Sequence, residues 1–175
     1  VHSKAQKKSK KNRLLGINPG AAFGSAKQWY PEKFAKVALG LSTEYDIIIL
    51  GGPQDFDIAK DIENSLIDMG VVNYLNLATK LSVTQLISQI ENLDLLVTCD
   101  SGPMHIAAAL NIPTVAIFGP TKVKETSQWM NEKSIVVKKN FECQPCMKKT
   151  CPLKHHNCMN QIKAADVLEA IDSLS

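Results

Sequence analysis

Arginine is almost missing from this chain. Arg13 is the only one among 175 residues, so a phosphate held here by a side chain has to be held by lysine, or else by backbone N–H groups. Guanidinium readout of base edges is thereby excluded, and no nucleic-acid partner is expected. Long apolar runs are missing too: the longest, around residues 93–99, is interrupted by Asp94 and falls far short of the roughly 20 residues that cross a bilayer. No apolar run follows the lysine-rich N-terminus, which therefore lacks the form of a secretory signal. Neither G-x-G-x-x-G nor G-x-x-x-x-G-K-[ST] occurs, which argues against a dinucleotide-dependent dehydrogenase and against a P-loop enzyme.

What is present fits one compact domain. Hydrophobic residues make up 45% of the chain, enough for a core that needs no disulfide or metal to form. The formal charge of +3 is uneven: residues 1–13 hold six of the 20 basic groups and no acid, so the body from residue 14 onward is mildly acidic. We expect residues 1–12 to be a basic flexible linker. Because the chain lacks an initiator Met, it is expected to be a fragment cut in that linker.

Strand and helix patterns then alternate, the sequence form of a parallel sheet with helices on its faces. Strands are expected at 13–18, 46–50, 71–75, 93–99, 113–118 and 135–138. A helix opens at Pro31, with Phe34, Val37, Ala38 and Leu41 on one face, and Ile58, Ile62, Leu66 and Met69 mark the next, ended by Gly70. Ser82-x-x-Gln85 is a capping box opening a helix with a Val83, Leu86, Ile87, Ile90 stripe. A short helix is expected at 102–110 and a last one at 164–174, with Val167, Leu168, Ile171 and Leu174 inward. The predicted fold is α/β, a doubly wound parallel sheet of about six strands. Ligands of such sheets bind outside the carboxyl ends of the strands.

Two loops at that rim carry chemistry. In Thr98-Cys99-Asp100-Ser101-Gly102-Pro103-Met104-His105 an apolar strand turns at once into a helix, whose first N–H groups lack internal partners and sit at the positive end of the dipole. Pro103 has no N–H, leaving Ser101, Gly102 and Met104 as backbone donors to an anion. The alternative is a plain N-cap at Asp100 or Ser101, with Ala107, Ala108 and Ala109 only permitting close packing. His105 stands one turn away, catalytic or structural. The second loop, 18–29, is glycine-rich and holds an isolated Lys27 that could face a diphosphate, with Gly20 and Ala21 offering N–H groups; the alternative is a surface lysine beside a buried Trp29. Being polar and loop-borne, Lys27 is expected to be removable with little change in fold.

Together the N-P-G-A-x-x-G-x-A-K-x-W loop, the C-D-S-G-P-M-H-I-A-A-A-L turn (99–110) and the F-G-P-T turn (118–121) resemble the C-terminal half of the ADP-heptose:lipopolysaccharide heptosyltransferases of glycosyltransferase family 9, nearest the heptosyltransferase II branch. The resemblance covers residues 13–175 and implies the donor-binding half of a two-domain GT-B enzyme. On that footing Lys27 matches the lysine on the donor diphosphate, Ser101, Gly102 and Met104 the phosphate cradle, and Asp100 and His105 residues near the heptose. The ribose-binding acid falls among Gln54, Asp55 and Asp57, with Asp55 taken forward, and Leu81 lies where an apolar residue packs on adenine. The reaction implied is inverting: an acceptor hydroxyl displaces ADP from the anomeric carbon. No catalytic residue is expected in this chain, the base belonging to an N-terminal domain that also binds the lipopolysaccharide acceptor. No cofactor is required, and the implied location is cytoplasmic, with peripheral association at the inner membrane left open.

Four of the five cysteines fall in a loop at 141–159, spaced Cys143-x2-Cys146-x4-Cys151-x6-Cys158, with His155 and His156 between the last two. A structural zinc site is one reading and reduced or adventitiously paired thiols the other; the second half does not repeat the C-x2-C knuckle, and a catalytic thiol is disfavoured. Lys138, Lys139, Lys148, Lys149 and Lys154 against Glu142 make this loop the basic part of the body, either a solvated surface or a face for anionic lipid. Three other functions compete: a nucleotide-sugar-binding module without turnover, an unrelated doubly wound enzyme and a zinc-stabilised interaction domain.

Overall fold

A computed structural model describes residues 12–174, so all but the last residue of the expected basic linker lies outside the described residues. Six parallel strands form one sheet: β1 (Arg13–Asn18), β2 (Tyr45–Ile49), β3 (Tyr74–Asn76), β4 (Leu95–Cys99), β5 (Thr114–Phe118) and β6 (Ser134–Lys138). Their order is β3-β2-β1-β4-β5-β6. The order reverses between β1 and β4, where Leu15 pairs with Leu95 and Asn18 with Thr98. The doubly wound sheet of six strands is therefore as the alternation predicts, and its crevice lies beyond Asn18 and Cys99.

Period-two alternation divides the core. Leu15, Ile17, Ile47, Ile49, Leu95, Val97, Val115 and Ile117 face one side. There they meet α1 (Pro31–Leu41), α2 (Phe56–Asp68) and α7 (Ala164–Asp172), through residues such as Phe34, Ile62 and Val167. Ile48, Leu50 and Leu96 face the other side, against α3 (Val83–Glu91) and α4 (Gly102–Ala109). Ala107 is fully buried there, its small side chain letting α4 lie close to the sheet. The remaining helices, α5 (Val123–Thr126) and α6 (Asn157–Asn160), are single turns too short to carry a hydrophobic period, and the sequence pattern does not announce them.

Two expected elements differ. The third strand begins at Tyr74 and not at residue 71, because Val71 N–H donates to Leu66 O and still belongs to the end of α2, while Val72 is 87% exposed. The capping box at Ser82 and Gln85 forms as expected. Its stripe does not pack as one: Ile90 is buried, but Val83 is 72% exposed and Ile87 39%, in a helix that packs chiefly on α4.

Candidate functional site

Asn18, the last residue of β1, joins the two halves of the sheet. Its Nδ2 donates to Thr98 Oγ1 and to Ser101 Oγ, each at 3.0 Å. Ser101 is the N-cap of α4, yet its hydroxyl makes no cap bond; it donates back to Cys99 O at 3.1 Å. Pulling that hydroxyl away leaves the first amides of α4 uncapped. Ser101 and Gly102 N–H have no backbone acceptor among the described residues, whereas Met104 N–H donates to Ser101 O at 3.2 Å. Met104 is therefore not a free donor, and its fully buried side chain packs with Ala116 and Phe118. The open cradle is the pair Ser101 and Gly102. A side chain at Gly102 would meet nothing within 4 Å, so the space above this N-terminus is clear.

Lys27 reaches the same place from the other loop. It lies in a short 3-10 turn (Ser25–Lys27), and its Nζ is 2.7 Å from Asp100 Oδ2. It is not a surface lysine: the residue is 9% exposed, with its ammonium also 4.7 Å from the Phe23 ring. A buried, paired ammonium cannot be removed with little change in fold, because a lone buried carboxylate remains. Asp100 is no N-cap either. Its Oδ2 also accepts from Thr121 Oγ1 at 2.6 Å; Thr126 Oγ1 lies 3.4 Å away, with its one proton nearer Lys122 O at 3.1 Å. One carboxylate oxygen thus ties the loops after β1, β4 and β5 together.

The turn carrying Lys27 is anchored by Trp29. This residue is 1% exposed, packs edge-on against Phe34 with centroids 4.9 Å apart, and donates its indole N–H to Ile162 O at 3.1 Å. Its backbone N–H lies 3.4 Å from Cys99 Sγ. Burial pushes the Cys99 thiol up to about 12, so it stays neutral and serves as an acceptor. Cys158 is pushed up to about 11, by burial first and then by Cys143, Cys146 and Cys151, so with no metal bound it is protonated and not a nucleophile.

Beside this pair, at the carboxyl ends of β1 and β2, a cavity of about 490 Å³ is lined by Ala21, Ala22, Gln28, Pro53, Gln54 and Asp55, among others. That volume lies in the range of small-molecule sites. Asp55 Oδ2 accepts from Gly52 N–H at 2.7 Å, and its carboxylate occupies the space any side chain at Gly20 would need. Gly20 is therefore required for the two loops to meet. A second cavity, of about 540 Å³, opens near Thr121 between the ends of β5 and β6, with Lys122, Lys138, Asn140 and Gln144 among its residues.

The structure thus brings Lys27, Asp100, Ser101 and Gly102 to one point and Ala21 and Asp55 to the adjoining cavity, with Gly20 against the Asp55 carboxylate. Leu81 packs on the Leu50 and Ile90 side of the core, and Asp57 lies in the first turn of α2, neither of them lining that cavity. His105 is exposed in the first turn of α4. Sequence reasoning assigned no part to Asn18, Thr98, Thr121 or Thr126. The first three stand in the stretches quoted above, and the polarity of Asn18 and Thr98 at the ends of apolar strands is the signal that could have singled them out.

Comparison with known proteins gives a consistent result. Residues 1–157 match glycosyltransferase family 9 (heptosyltransferase). The chain is 46% identical to lipooligosaccharide heptosyltransferase 2 of Campylobacter jejuni over 93% of its own length and 52% of that protein. It is 30% identical to lipopolysaccharide heptosyltransferase 2 of Escherichia coli over 95% of its own length and 48% of the relative's. Among solved structures, ADP-heptose lps heptosyltransferase II of E. coli superposes with a TM-score of 0.80 at 29% identity, covering 95% of this chain and 47% of that one. The chain spans about half the length of these relatives. No helix among the described residues is long and apolar enough to cross a membrane.

Proposed function

Because the chain belongs to glycosyltransferase family 9, we propose that it is the donor-binding half of an inverting heptosyltransferase, taking ADP-heptose and serving the inner core of lipopolysaccharide. The observation that carries this reading is the meeting of Lys27 and Asp100, 2.7 Å apart, beside the uncapped amides of Ser101 and Gly102 and next to a cavity of nucleoside size. Adenosine takes the cavity, with Asp55 toward the ribose, and Gly20 and Ala21 amides lie along its path. The diphosphate takes the Ser101 and Gly102 N–H groups. Asp100 and His105 are assigned to the heptose side, and Leu81, partly buried beside Leu50 and Ile90, to the adenine.

The chemistry asked of this half is leaving-group stabilisation. The acceptor oxygen bonds to the anomeric carbon as that carbon's bond to the diphosphate oxygen breaks. Negative charge then grows on the departing ADP. Fixed amides at a helix N-terminus meet it without reorganisation, and the Lys27 ammonium, held in place by Asp100, adds a directed positive charge. No residue of this chain is assigned as the base that takes the acceptor proton; that role and the acceptor site are assigned to the rest of the protein. The same reading puts the protein in the cytoplasm, meeting its lipid-linked acceptor at the inner membrane. Since the chain spans about half of its relatives, binding without turnover is the behaviour proposed for it alone.

Gly102 supplies the test. With open space at its Cβ position, Gly102→Ala keeps the fold and gains up to about 1 kcal/mol in helix stability. The added methyl occupies the phosphate approach, so ADP affinity by titration calorimetry falls at least about tenfold, or 1.4 kcal/mol. UDP and GDP, measured alongside, bind more weakly than ADP to the unaltered chain. An ADP affinity indifferent to the methyl group sinks the assignment.

A further inference from the structure

The cysteine-rich loop is the one motif that donor binding does not use. From Lys139 to His156 the chain runs without helix or strand, a length at which a loop in a compact domain needs a reason to hold its shape. Hydrophobic burial supplies it only at one end: Phe141 packs against the core, but Met147 is 39% exposed and Leu153 58%. Yet the loop is fastened to both turns that hold Asp100. Ala26 N–H, next to Lys27, donates to Lys149 O at 3.0 Å, and His156 Nε2 lies 2.9 Å from Ala26 O. On the other side Met147 N–H donates to Pro120 O at 3.0 Å and Gln144 Nε2 to Gly119 O at 2.6 Å, beside Thr121. Gly24, whose φ of +153° few other residues adopt, sits so tightly on the Lys149 carbonyl that no side chain fits there.

Cys143, Cys146, Cys151 and Cys158 all line one small cavity of about 20 Å³ beneath this loop, together with Ala26, Pro120 and His155. That is the space of a single ion or water. All four are free thiols. His156 is not available as a fifth donor, because its Nδ1 lies 3.0 Å from Tyr30 Oη while Nε2 holds Ala26 O. No group of three or more His, Cys, Asp or Glu among the described residues is already arranged to hold a metal, so an ion has to gather the sulfurs around itself.

We propose that Cys143, Cys146, Cys151 and Cys158 bind one divalent cation of the zinc class as a closed tetrathiolate, and that the ion sets the loop that braces the Lys27 and Thr121 turns. Four thiolates complete a tetrahedral shell and leave no position for substrate, which makes the site structural. Loading breaks four S–H bonds, releases the protons to solvent and forms four metal–sulfur bonds, with no change of oxidation state. Only the consequence for nucleotide rests on the donor-binding reading; the metal site stands apart from it.

The test is metal analysis by mass spectrometry of the full chain, purified under reducing conditions from zinc-replete medium. About one equivalent of metal per chain is expected, released by a strong chelator with recovery of free thiols. Cobalt(II) added to the stripped protein should give thiolate-to-metal charge-transfer bands and the d–d bands of a tetrahedral site. Cys146→Ser and Cys151→Ser should hold less than about a tenth of an equivalent, while His155→Ala keeps the metal. Should the serine variants fail to fold, the chelation and cobalt measurements on the unaltered chain still decide. Less than about a tenth of an equivalent in the unaltered reduced chain, with no cobalt bands, overturns the proposal, as does the finding of disulfides in protein kept free of oxygen. Weaker ADP binding after stripping is the expected coupling. ADP failing to bind the metal-loaded chain counts against the nucleotide reading and leaves the metal site intact.

Discussion

Lys27→Ala is expected to cost the fold about 3–5 kcal/mol, measured by urea denaturation, and to reduce ADP affinity below detection in the same preparations. The reason is what stays behind. Asp100 is 4% exposed, and without the ammonium its charge keeps chiefly the Thr121 hydroxyl. The double variant Lys27→Met, Asp100→Asn separates fold from function, because it removes both charges and keeps most of the volume. Its stability should return to within about 1–2 kcal/mol of the unaltered chain, since replacing a whole buried pair is far cheaper than breaking it. ADP binding should not return. A single variant that loses under about 1 kcal/mol would mean water reaches the pair freely, and the buried ion pair would then be a poor account of this loop.

Trp29→Ala is the second large effect, about 3–5 kcal/mol, read as a lowered thermal midpoint. The side chain is almost fully buried between the nucleotide-side loop and the segment leading into α7, and its removal leaves a cavity against Phe34. Trp29→Phe isolates the indole N–H. It retains an aromatic ring and costs about 1–2 kcal/mol, because Ile162 O still accepts from Lys33 Nζ at 2.9 Å. Equal losses in the two variants would contradict this division between packing and hydrogen bonding.

How far the residues alone disclose this arrangement depends on the range of the interaction. The Ser82 cap, the Pro31 helix start and the α2 stop at Gly70, with its φ of +73°, are written within a few neighbouring residues and were legible. The rim of the sheet was legible too, because an apolar strand that breaks into Asp-Ser-Gly-Pro has few other places to go. The partner of Asp100 was not. Lys27 lies 73 positions away and meets it only because the sheet sets β1 beside β4, a fact of topology that no local pattern carries. Exposure of Val83 and Ile87 was hidden for a related reason: the period of a helix says which side is apolar, not how much of that side its neighbours cover. Met104 shows the limit at atomic scale. Its N–H is counted free by position in the helix, yet it donates to the Ser101 carbonyl three residues back in a tightened first turn.

Asp100 Oδ2 is shared by an ammonium from one side of the sheet's switch point and a hydroxyl from the other, at 2.7 and 2.6 Å. Lys27 and Thr121 therefore act on one charge: when either is withdrawn, the other is left alone against an oxygen it already meets at the shortest approach such bonds allow. Damage at the two positions will not sum, and the discrepancy reports how strongly the two loops are coupled through that single oxygen.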